Sequence, residues 1–203
     1  MAALALGAYA VYMALAFGLR TVIQLRRTGS SGFEGVSGRP GSAEWWAGVL
    51  FVVAIAVGVA APVLALTGVV EPISALDVTA VHAVGIALFA LGLLGTLVAQ
   101  MAMGESWRIG VDEAQTTDLV TDGPFALVRN PIFAAMLPAS AGLALMVPSS
   151  VALAGMAALV LALELQVRVV EEPYLLRSHG AGYAGYAARV GRFLPGVGRL
   201  RGD

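Results

Sequence analysis

Four charge-free apolar runs, Met1–Leu19, Trp45–Val70, Val78–Gly104 and Asn130–Leu163, constrain this chain more than any other feature. Crossing the hydrocarbon core takes about 20 helical residues at a rise of about 1.5 Å each. The first three runs each suit one helix. The fourth would extend about 50 Å as a single helix, too far for one crossing, and Pro148-Ser149-Ser150 interrupts it near the middle. The runs predict an all-α integral membrane protein of about five transmembrane helices, the last two a pair of short antiparallel spans. Only 12% of the 203 residues are charged, about half the share usual in soluble domains. The absence of cysteine excludes disulfides and thiolate metal sites. A net charge of -1 gives no basis for a nucleic-acid partner.

The arginines set an orientation. They follow the first span (positions 20, 26, 27 and 39), the third (108 and 129) and the fifth (168, 177, 189, 192, 199 and 201), which are segments on one side of the membrane. The opposite loops, 67–77 and 148–150, hold Glu71 and Asp77 and no arginine. The positive-inside rule makes the arginine side cytoplasmic. No positive region precedes the first run, so it is expected to be a retained span with its amino end outside.

Three regions are expected. Residues 1–44 form the first span and a Gly/Ser-rich linker, whose composition suggests loose packing of that span. Residues 45–103 form the second and third spans, entered at the interfacial pair Trp45-Trp46. Residues 104–203 hold the chemistry. Gly85, Gly92 and Gly95 in the third span, with Ala134, Ala135, Ala139 and Gly142 in the fourth, are small residues that let two membrane helices approach closely. Asp122-Gly123-Pro124 signals a turn, and Asn130-Pro131 reads as an N-cap and first helical residue, leaving amides that suit an anionic group.

In the fifth span Glu164 lies about 20 Å from the outer face, an expensive depth for a charge and a sign of function. Arg168, Glu171 and Glu172 follow at i+4, i+7 and i+8 and would share its face on a regular helix. A structural reading, a Glu164–Arg168 pair followed by a solvated Glu171-Glu172, stands equally open. Tyr183, Tyr186 and Val190 recur at helical spacing in a tail of interfacial character, with Arg189 and Arg192 directed at lipid headgroups. His82 reads as an interfacial hydrogen bonder and His179 as a turn residue, which gives no support to a histidine metal site.

Leu119-Val120-Thr121-Asp122-Gly123-Pro124-Phe125 followed by Val128-Arg129-Asn130-Pro131-Ile132-Phe133 resembles the LVTxGPY…RHPxY signature of the isoprenylcysteine carboxyl methyltransferases, relatives of the phospholipid N-methyltransferases. Glu171-Glu172 with Leu175, Gly180, Tyr183 and Tyr186 is similar to the family's EExxL…FGxxYxxY ending, and Arg189-Val190 through Pro195 to its close. The likeness covers about residues 104–195. It implies S-adenosylmethionine bound on the cytoplasmic side by Val120, Gly123, Arg129, Asn130, Phe133, Glu171 and Glu172. It also implies a lipophilic acceptor, such as the carboxylate of a prenylated or other lipid-like molecule, entering from the inner leaflet of a prokaryotic plasma membrane. Trp107, Arg108 and Glu164 are placed on the acceptor, with Arg168 and Glu172 as the catalytic pair. Asn130 stands where the family usually has histidine, so a role for imidazole protonation does not carry over. The third span offers Gly92-x-x-Gly95 and lacks the GxG of the phospholipid enzymes. The alternatives are an NADPH-dependent membrane reductase related to sterol reductases and a non-enzymatic scaffold.

Overall fold

A computed structural model describes residues 1–31, 35–107 and 118–200. The four apolar runs form five helices, the fourth run splitting at Pro148-Ser149: α1 (Ala2–Thr28), α2 (Ala43–Leu66), α3 (Thr79–Met103), α4 (Pro131–Met146) and α5 (Ser150–Arg189). Among the described residues there is no strand, and the chain is an all-α membrane protein. Ser42 and Ser149 start α2 and α5 by accepting from the amides of Trp45 and Ala152, each satisfying one orphan donor of a first turn. Four of the helices are long enough to cross a bilayer; α4, with 16 residues, reaches only about 24 Å. Leu91, Leu94, Met101 and Leu161 project outward, as side chains facing lipid do.

The α3–α4 contact is built on small residues. A Cβ on Gly92 would lie 2.4 Å from the Ala139 amide nitrogen, and one on Gly142 would lie 2.5 Å from the Gly85 carbonyl oxygen. Gly85 meets Gly142 and Met146 while Gly92 meets Ala139 and Ala135, so the two helices run antiparallel.

The first span is not loosely packed, contrary to the reading of its linker. Tyr12 shares a hydrogen bond with Thr96 (3.0 Å), Gln100 Nε2 donates to Ala16 O (2.8 Å), and Arg20 Nη2 donates to Gly104 O. The partners advance together by four residues, so α1 and α3 are parallel and joined by a polar ladder. Between helices without water such bonds are worth about 1–2 kcal/mol at most, but three in register fix rotation and height. Ala5, Tyr12 and Ala16 also join Phe89, Met136, Ala139, Leu159 and Leu163 in one core. A flexible connector says nothing about how firmly the segment beyond it docks.

Two helices contain widened π turns, Met13–Leu19 in α1 and Gln166–Glu171 in α5. Each turn closes i→i+5 bonds, which adds a residue per turn and sets the succeeding residues back by about 100°. Helix α5 then bends at Gly180, whose φ of 51° and ψ of -126° suit glycine alone.

Candidate active site

At the start of α4 the chain folds into a clasp. Gly123 (φ 57°, ψ -128°) turns it into the single helical turn Pro124–Leu127. Val128 then pairs with Gly191, the Arg129 amide donates to Gly191 O (2.8 Å) and the Asn130 amide to Arg192 O (3.1 Å). The Arg129 side chain, 2% exposed, spreads into the C-terminal segment. Its Nη1 donates to Ala187 O (3.0 Å) and Val190 O (2.6 Å), and its Nη2 to Gly198 O (3.0 Å) and Glu172 Oε1 (2.5 Å). Arg192 completes the cluster through Nε to Glu172 Oε1 (2.8 Å) and Nη2 to Glu172 Oε2 (2.9 Å). The Glu172 hydrogen bonds hold the Arg192 guanidinium above its ordinary range. One buried carboxylate thus satisfies two guanidiniums, a charge-assisted arrangement stronger than neutral bonds.

Against this cluster lies an open cavity of about 200 Å³, walled by all five helices and by residues of the segments before α2 and α4. Of the residues singled out in the sequence, Trp107, Val120, Arg129, Asn130, Phe133 and Glu171 line it. Gly123 shapes the turn and does not line it. Glu172 sits beneath, wholly engaged with the two arginines. Arg108 lies outside the described residues.

Three expectations change. Glu164 and Arg168 bind each other at 2.5 Å, with side chains 37% and 59% exposed, and neither lines the cavity. The regular face that joined them to the Glu pair does not exist, because the π turn at Gln166–Glu171 rotates Glu172 inward. Asn130 occupies the N-cap position without a side-chain cap bond; its Nδ2 donates to Arg192 O (3.3 Å). Arg192 faces Glu172 instead of headgroups, and Tyr183 and Tyr186 are buried against the cavity, Tyr186 donating to Phe125 O (2.6 Å).

Among the lining residues to which sequence reasoning gave no site role are His179, Gln100 and Gln166. His179 lines the cavity one residue before the bend at Gly180. Gln100 and Gln166 are polar residues on helices otherwise apolar at that depth, and that was the available signal. Gln166 Nε2 donates to Glu171 Oε1 at 3.4 Å. The buried Oε1 of Gln100 and Nε of Arg129 lack hydrogen-bond partners, one acceptor and one donor on residues of the same cavity.

The sequence model of the phospholipid methyltransferase family matches residues 80–182, from the first turn of α3 past the bend in α5. The nickel-cobalt-cadmium resistance protein NccN of Alcaligenes xylosoxydans xylosoxydans is 30% identical over 118 residues, 58% of this chain and 54% of that protein. The cobalt-zinc-cadmium resistance protein CzcN of Cupriavidus metallidurans is 32% identical over 117 residues, 57% of this chain and 53% of its own length. The chain spans about half the length of the curated relatives it matches. The lack of a GxG in α3 does not set the chain apart from the matched family; Gly92 and Gly95 serve the contact with α4.

Proposed function

This chain belongs to the phospholipid methyltransferase family of membrane methyltransferases, and on that premise we propose that it uses S-adenosylmethionine to methylate a lipophilic acceptor. The acceptor reaches the cavity from the inner leaflet of a prokaryotic plasma membrane, and the cavity opens toward the cytoplasm. The arginine asymmetry supports that orientation.

The observation that carries the reading is the donor set of the cavity at the start of α4. A cofactor with an amino-acid end needs donors for its carboxylate and acceptors for its amine. The first-turn amides of α4, unpaired within the helix, and the orphan Nε of Arg129 supply the donors. Glu171 and the orphan Oε1 of Gln100 supply the acceptors. Phe133 and Tyr183 add aromatic faces for a flat base. When bound, S-adenosylmethionine supplies an electrophilic methyl on a sulfonium, which passes to an acceptor lone pair and leaves a neutral thioether.

The remaining work falls to alignment and to exclusion of water. A carboxylate acceptor arrives deprotonated, so the chain has no proton to remove. Glu172 acts at one remove: by holding Arg129 and Arg192 it fixes the cavity floor and the entry to α4. The reductase reading is weaker, because among the described lining residues Arg129 is the one arginine, and with Glu172 and three carbonyls taken only its Nε remains, a single donor against the several phosphates of NADPH. The two relatives are named for resistance to metals. That naming is said of those relatives, and among the described residues no group of three His, Cys, Asp or Glu is placed to hold a metal ion.

Methyl transfer tests the reading directly. Protein in proteoliposomes of bacterial lipid extract, given methyl-labelled S-adenosylmethionine, is expected to place label in the lipid phase. Glu171→Gln should reduce that label at least about ten-fold, equivalent to about 1.4 kcal/mol of lost binding. Label no higher than in protein-free liposomes would count against the proposal.

A further inference from the structure

Arg20 is a buried cation to which the reading above gives no task. It is 6% exposed, near the inner end of α1, at the last rung of the ladder to α3. Its Nη2 donates to Gly104 O and its guanidinium stacks 4.7 Å from the ring centre of Trp107. Its Nε is buried without a hydrogen-bond partner, and no carboxylate of the described residues pairs with it.

Burying an uncompensated cation is costly, and in membrane helices such groups pair with something. The partial negative charge at the end of α3 and the Trp107 face offset part of that cost. Among the described residues they leave a positive charge and one donor, Nε, unmatched. Trp107 lines the reaction cavity, as do Thr96 and Gln100, the α3 partners in the two preceding rungs. Of the two arginines considered for an acidic acceptor, Arg168 is exposed and taken by Glu164, and Arg108 lies outside the described residues.

We propose that Arg20 is the specificity-determining charge for the methyl acceptor, pairing with a carboxylate or phosphate that enters beside Trp107. This rests on the methyltransferase reading for its substrate, though not for its measurement. The planar guanidinium matches either anion through two parallel bonds. An acidic amphiphile is therefore bound by its head at the Arg20–Trp107 edge, with its chain among the apolar walls. A neutral alcohol of equal length forgoes the ion pair.

The chain has three tryptophans. With Trp45 and Trp46 changed to Phe, Trp107 reports binding by its fluorescence. Protein in phosphatidylcholine nanodiscs at pH 8 is titrated with dodecanoate, dodecyl phosphate and dodecanol. At least one of the two anions is expected to bind ten-fold or more tightly than dodecanol, and which one does so tells carboxylate from phosphate recognition. Arg20→Gln keeps a donor for Gly104 O and removes the charge; it should bring that anion to the level of dodecanol. Arg20→Lys should retain most of the preference, and it serves as the folded reference if the glutamine variant does not fold. Folding of each variant is read from its thermal melting. No anion preference in the parent protein, or a preference that survives in Arg20→Gln, would overturn the assignment. The same holds if Arg20→Lys folds and shows none. Stabilisation by S-adenosylhomocysteine is read separately, so a failed cofactor site and a failed anion site give different results.

Discussion

Two adjacent glutamates do opposite work. Glu171 lines the cavity, whereas Glu172 lies beneath it between two guanidiniums. Glu171→Gln should melt within a degree or two of the parent but bind S-adenosylhomocysteine about ten-fold more weakly, about 1.4 kcal/mol. Glu172→Gln strips the counter-charge from buried Arg129 and Arg192, a change that costs about 3–5 kcal/mol. It should appear as a large drop in melting temperature before any question of affinity arises. Equal melting of the two variants would show that the cluster is not structural. The Glu pair was recognisable in the sequence as chemically unusual, and Arg129 and Asn130 as its counterparts. Which glutamate faces the cavity was not, because a π turn leaves no periodic signature in six residues of mixed polarity. Arg192 was hidden for a related reason: an arginine in a tail reads as a headgroup ligand until a buried carboxylate is known to face it.

At the scale of helices, the apolar runs announced every span, and the small residues of the third and fourth announced their contact. What hydropathy could not convey is register. The π turn at Gln166–Glu171 adds the residue that rotates Glu172 toward Arg129. Deleting Val169, which is exposed on that turn, should restore regular winding and swing Glu172 away. Such a protein is expected to keep its helical circular dichroism and lose stabilisation by S-adenosylhomocysteine; retained stabilisation would mean the π turn has no bearing on the site. The α3–α4 contact gives a sharper test. Gly92→Ala places a methyl 2.4 Å from the Ala139 nitrogen and should destabilise by about 1–3 kcal/mol or more. Gly182→Ala meets nothing within 4 Å and should be neutral or slightly stabilising. Matching melts for the two alanine variants would contradict close packing of the helices.

For the molecule as a whole, the polar chemistry gathers at one end of the bundle, and the orientation we propose from the arginine pattern turns that end to the cytoplasm. The chain has no cysteine, which makes this simple to check. Val69→Cys, in the loop after α2, should react with an impermeant maleimide on intact cells, and Val197→Cys only after permeabilisation; both positions are exposed. The reverse pattern would invert the topology. The first span was the element least legible from sequence: its linker looked slack, yet the ladder from Tyr12 to Arg20 ties it to α3 and brings Phe17 to the cavity wall. The central claim is that this cavity holds S-adenosylmethionine, and thermal unfolding with S-adenosylhomocysteine tests it most directly. At a hundred-fold excess over Kd the ligand should stabilise the purified protein by about 2.7 kcal/mol, while NADPH at the same concentration leaves the transition in place. Stabilisation by NADPH alone, or by neither ligand, would contradict the account.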